Sequence, residues 1–182
     1  MKPRELRLAL SALLLFAAPT ITFAGNNGRA PDGPQAAAPQ ATVSGICTDM
    51  TKINYKSDDS IDHSTFSTSF VNVPKASVGF NQGGSSSGCV IVTFTAEAFT
   101  DPDGLMQVRA RLDDSVTAAP GVVQFSGDED EDADGRWARS HAFTFIFPSV
   151  APGSHLVRIQ FRTVDFFRQV VIHKHTVVVQ HR

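Results

Sequence analysis

The chain has 182 residues, 42% of them hydrophobic and 19% charged, which is enough for one domain with a packed core and not for two. A charged fraction below the usual quarter, with 14 Phe against one Tyr and one Trp, excludes a wholly disordered chain, a coiled coil, a collagen and a polytopic membrane protein. The formal net charge is −2, too mild for a general nucleic-acid binder.

The first 24 residues read as a secretory signal peptide. Lys2, Arg4 and Arg7 form a positive start and Leu8 to Ala18 a short apolar stretch. Pro19 ends it before the small-x-small site Thr22-Phe23-Ala24, with cleavage expected after Ala24. The stretch is too short to span a bilayer, and nothing downstream is apolar enough to do so as a helix. A periplasmic or secreted protein without a membrane span is expected. Removing Lys2, Arg4, Glu5 and Arg7 leaves 13 basic and 17 acidic side chains, net −4, which still argues against nucleic acid as a partner. Residues 25–42 are rich in Gly, Pro, Ala, Asn and Gln and read as a flexible tether. The folded domain is expected over residues 43–182. In an oxidising compartment its two cysteines, Cys47 and Cys89, are expected to pair. Free thiols or a two-Cys metal site are the alternatives, and neither cysteine has a second one at ligand spacing.

From there on the apolar period is two rather than 3.6. Strands are expected near Thr65 to Val73 and Ala76 to Phe80. Val92, Phe94, Ala96 and Ala98 alternate with Thr93, Thr95 and Glu97, and Met106, Val108, Ala110 and Leu112 with Gln107, Arg109 and Arg111. A short strand follows near Val122 to Ser126. Phe143, Phe145 and Phe147 alternate with Thr144 and Ile146, and Val157, Ile159, Phe161 and Thr163 with Arg158, Gln160 and Arg162. A Val-rich strand runs from about Gln169 to Gln180. Asp101-Pro102-Asp103-Gly104, Ala119-Pro120-Gly121 and Ala151-Pro152-Gly153 mark turns between them. No window reads as an amphipathic helix. About eight short strands, each with one apolar face, predict an all-β fold. Its expected form is an antiparallel two-sheet β-sandwich of jelly-roll type. Phe suits the space between sheets because it has no polar atom to satisfy.

Phe143 to Phe147, Ala151-Pro152-Gly153-Ser154-His155, Val157-Arg158-Ile159-Gln160-Phe161-Arg162 and the final Val-rich strand form a recurrent arrangement. It resembles a group of small exported bacterial β-sandwich proteins of unknown function, closely over the last three strands and loosely over the domain. The resemblance implies the fold and bacterial export, and transfers no catalytic or binding residue.

Several constellations could carry chemistry. Six acids lie within Asp128–Asp134, and Asp130-x-Asp132-x-Asp134-Gly135 matches the opening of an EF-hand calcium loop. His141 stands where the bidentate Glu should be, and no helix flanks the loop, so a solvated acidic loop is the competing reading. His173-x-His175 would put two imidazoles on one side of a strand, with His155 as a third metal ligand from a neighbouring strand. The other reading is surface histidines on a late strand. Gly84-Ser85-Ser86-Ser87-Gly88 matches the nucleophile elbow in letters but not in context, since it leads into a strand. Asp58, Asp59, Asp62, His63 and Ser64 hold triad residue types in what reads as a polar loop. Arg109 and Arg111, and Arg158 and Arg162, project from one face of their strands. If the strands share a sheet, they form a basic face for carboxylates, phosphates or acidic sugars, or else a solvated surface. Phe166-Phe167 sits beyond a strand and is expected to turn at least one ring inward.

These readings favour an exported, non-catalytic β-sandwich with a binding or structural role. Its candidate ligands are an acidic polysaccharide or a protein partner, with calcium as a possible aid. The competing readings are a small metal-dependent hydrolase using the His cluster and a subunit that assembles with copies of itself.

Overall fold

The computed structural model of the protein describes residues 45–60, 62–127 and 138–182. The calcium expectation at Asp130, Asp132 and Asp134 lies outside them, as do the signal peptide and the tether. The described residues form ten strands: β1 (Lys52–Asp58), β2 (His63–Thr65), β3 (Val71–Gln82), β4 (Gly88–Thr100), β5 (Leu105–Leu112), β6 (Val116–Thr117), β7 (Val123–Gly127), β8 (Arg139–Val150), β9 (Gly153–Thr163) and β10 (Val170–His181). The first sheet runs β1-β10-β4-β8, with β2 beside β10; the second runs β3-β9-β5, with β6 and β7 against β5. Every pairing is antiparallel.

Ten strands replace the expected eight because β1 has no alternating apolar face and β6 has only two residues. The two shortest strands are β2 and β6, of three and two residues. Without them the chain visits the sheets in the order first, second, first, second, second, first, second, first. That is the double Greek key of a jelly roll. The predicted alternation is what closes it. Val92, Phe94 and Ala96 of β4 meet Phe145 and Phe147 of β8 and Ile159 and Phe161 of β9 in one core. Each Phe buried there contributes about 1.5–3 kcal/mol relative to exposure.

Three departures from the expected elements have local causes. The stretch from Thr65 to Val73 is two strands, because the Thr65 and Ser67 hydroxyls accept from the amides of Ser67 and Ser69 and turn the chain between them. β3 then runs through Pro74 and Lys75, where the register with β9 shifts and Lys75 takes φ 60°. β1 has no apolar inward face: Ile53 and Tyr55 are exposed, while Asp58 is buried. It is held as an edge strand by β10, from Lys52 opposite His181 to Asp58 opposite His175.

Cys47 and Cys89 form the expected disulfide, with Cα atoms 5.2 Å apart, inside the range a disulfide requires. It fastens the stretch before β1 to β4. Phe166 and Phe167, at the β9–β10 turn, are 70% and 87% exposed, against the expectation that one would turn inward. The Phe167 amide donates to the Asp165 carboxylate, 3.0 Å away, and this fixes the tight turn outside the core.

Candidate functional site

β5 and β9 are neighbours, so the two Arg rows share one face. Met106, Val108 and Ala110 point into the core, as do Val157, Ile159 and Phe161, all at 0–1% exposure. The alternate positions are therefore forced outward. The register sets Gln107 opposite Arg162, Arg109 opposite Gln160, and Arg111 opposite Arg158. In the first two rows a neutral amide faces each guanidinium. Gln107 Oε1 accepts from Arg162 Nε at 2.9 Å and Nη2 at 2.7 Å, and the Thr68 carbonyl accepts from Nη1. Gln160 Oε1 accepts from Arg109 Nε at 2.8 Å, and its amide donates to Asn72. The third row opposes two like charges, which is unfavourable, and Asp114 offsets it. Its carboxylate takes Arg158 and its carbonyl takes Arg111.

Phe70, just before β3, lies between the remaining two cations. The guanidinium carbon of Arg109 is 4.1 Å from the ring centroid and that of Arg162 is 4.6 Å from it. These are cation–π distances, which hold both forks in fixed planes. Among the described residues no carboxylate pairs with Arg109 or Arg162. Partial burial, then the fields of Arg111 and Arg162, pulls the Arg109 guanidinium below its ordinary value. A cation in that condition favours an anion. Sequence alone places the Arg rows on outward positions. It gives no sign of Phe70's role: the residue falls within the strand expected near Thr65 to Val73, but in the structure it lies just before β3.

The three histidines do not form one cluster. A bulge in β10 between Ile172 and His175 breaks the alternation that was to align two of them. His173 Nδ1 donates to Asp62 at 2.6 Å and its ring rests on Phe99. His155 is on the other sheet. Its Nδ1 meets Asp113 at 2.7 Å and its Nε2 the Ala151 carbonyl at 2.9 Å, so neither nitrogen has a lone pair to offer. Burial works against its charge, but the bonds to Asp113 and Ala151 prevail and raise its pKa above 6.5.

His175 is 3% exposed and stands among other partners. Asp58 faces it across the β1–β10 ladder, and the His63 ring lies edge-on with centroids 5.7 Å apart. Asp58 Oδ2 meets His63 Nε2 at 3.0 Å, and Oδ1 meets Lys75 Nζ at 3.2 Å. The Ser60 hydroxyl reaches both oxygens at 2.7 Å. The hydrogen bond from His63, then that from Ser60, holds the Asp58 carboxyl well below its usual range despite burial. Burial lowers the pKa of His175. Both residues border an open groove of about 530 Å³, walled also by Ser57, Thr95, Lys174 and Thr176.

No family model and no curated protein sequence matches the chain. Among solved structures, the C-terminal CBM6 of LamC, a marine laminarinase from Zobellia galactanivorans, matches at 11% identity and a TM-score of 0.34. The match covers 69% of this chain and 98% of that one. A likeness of that depth assigns no function to this protein. Among the described residues no helix is long and apolar enough to cross a membrane.

Proposed function

We propose that this protein is an exported, non-catalytic jelly-roll binding protein that holds an acidic polysaccharide on the outer face of its second sheet. The observation that carries the reading is the pair Arg109 and Arg162. Both guanidiniums are fixed against Phe70 and held by glutamines, and no described carboxylate pairs with either. Preset guanidinium forks match the carboxylates of uronic sugars, which can accept two parallel hydrogen bonds. Gln107, Gln160 and Asn72 line the same face and offer amides to sugar hydroxyls. The disulfide is compatible with an extracytoplasmic protein.

Calorimetric titration with polygalacturonate, against a neutral glucan, tests the reading. The acidic polymer should bind and the neutral one should not. A hydrogen bond to a charged group contributes about 1.5–3 kcal/mol. Replacing Arg109 and Arg162 with Gln should therefore weaken binding by more than about tenfold and flatten its salt dependence. Arg→Lys at both positions should rescue it only in part, because the charge returns without the fork. Equal binding of both polymers, or an undiminished double Gln variant, would refute the assignment.

A further inference from the structure

We infer that Asp58, His63 and His175 form a binding site for a zinc-type divalent transition ion at one end of the first sheet. One ligand atom from each of the three lies within 4.8 Å of the other two, and among the described residues no other trio of ligand-type side chains does so. Two imidazoles and a carboxylate are a donor set for zinc, cobalt or nickel, not for calcium, which takes six or more oxygens.

The second, independent observation is the orphaned nitrogen of His175. The residue is 3% exposed, and its Nε2 is buried without a hydrogen-bond partner. The facing atom for Nδ1 is the His173 carbonyl, 3.4 Å away. A carbonyl can only accept, so the ring hydrogen belongs on Nδ1 and the lone pair on Nε2. A buried lone pair without a donor loses its water at a cost that an ion at this position would offset.

The other two ligands are already close to coordination spacing. Zinc bonds of 2.0–2.1 Å in a tetrahedron put ligand atoms about 3.3 Å apart. Asp58 Oδ2 and His63 Nε2 are 3.0 Å apart. An ion between them displaces the proton they share, which goes to solvent or to the other nitrogen of His63. The second Asp58 oxygen stays with Lys75 and the Ser60 amide, which orient the carboxylate from outside. Ser60 Oγ reaches both carboxylate oxygens and accepts from Lys75 Nζ at 2.9 Å, which ties the lysine into the same outer shell. The Lys75 ammonium repels a dication, so it limits affinity while it holds the carboxylate.

That opposition gives the site a signature that a purely structural ion pair lacks. Untagged protein, with its disulfide intact, should bind one zinc ion by calorimetry. Cobalt(II) should give the intense visible bands of a tetrahedral nitrogen–oxygen site. His63→Gln and His175→Gln should each weaken binding by more than about tenfold, whereas His155→Gln should leave it unchanged. Lys75→Gln should tighten it by up to about fivefold, because it removes a neighbouring positive charge that is half exposed and screened. His63 lies on the three-residue edge strand, so its variant tests the site even if His175→Gln destabilises the core. Absence of stoichiometric zinc at micromolar concentration overturns the inference. So does binding that survives the His63→Gln, His175→Gln pair.

Discussion

Replacing both Cys47 and Cys89 with Ala should lower stability chiefly by freeing the unfolded chain. The bridge spans 42 positions. In the chain-entropy relation, closing a loop of that length removes unfolded-state entropy equivalent to about 4 kcal/mol at 25 °C. The folded side returns part of this. Among the described residues before β1, the backbone bond that anchors the stretch to the sheets is Thr51 N to the His181 carbonyl. Without the bridge, residues 45–50 fray and regain part of their backbone freedom, up to about 2 kcal/mol in all. The net loss should fall at about 2–4 kcal/mol. That corresponds to a fall in Tm of about 6–12 °C for a domain of this size. Urea unfolding of wild type and double variant measures it. The slope should rise in the variant, because its unfolded state exposes more surface. A variant melting within about 2 °C of wild type, with an unchanged slope, would refute the argument. It would mean that the bridge constrains neither state.

Two further outcomes follow from the packing and the charges. Phe161→Ala empties a position at 1% exposure in the middle of β9 and should cost about 3–5 kcal/mol in urea unfolding, with the fold retained. The His155–Asp113 pair should give a pH window. The raised His155 pKa means its contribution is full below 6.5 and fades as pH rises through the folded value. Asp113 is lowered: burial opposes its charge, but the bonds from His155 and the Leu156 amide prevail. Its contribution therefore appears above 3.8 and fades as pH falls through the folded value. Asp113→Asn should lose about 0.5 kcal/mol near pH 5.5, where both partners are charged, and little above pH 8, since the half-exposed carboxylate is screened. Thermal melts at the two pH values read the difference, and NMR titration of His155 reads its pKa.

The sandwich was legible wherever a strand has one apolar face. β4, β5, β8 and β9 alternate so regularly that their apolar-face residues could be named from sequence, and β10 was legible as a Val-rich run. β1 was not legible, because its buried position is Asp58 and its large apolar residues, Ile53 and Tyr55, face solvent. Alternation carries no signal when the inward face is polar. Missing β1 also hid the ion site, since its ladder with β10 sets Asp58 opposite His175. The bulge at Ile172 and His175 was equally silent, and it parts the two histidines that a regular strand would have aligned. The Arg face was legible as two outward rows. Their adjacency, and the ring of Phe70 between two of the cations, depend on strand order, which periodicity does not encode.

Strand order has a kinetic consequence as well. β10 is last in the domain's chain order, yet it lies inside the first sheet between β1 and β4. Lys52 meets His181 across that ladder, so the first and last strands close each other. Until β10 is available, β1 has no ladder partner and β4 has only β8. Contacts between such distant segments require a long loop to close before any pairing is rewarded, which places folding in the millisecond-to-second range rather than the microsecond range. A chain cut before Val170 keeps most of its hydrophobic residues but cannot assemble the first sheet. The domain therefore completes its fold only after its whole length is free to move.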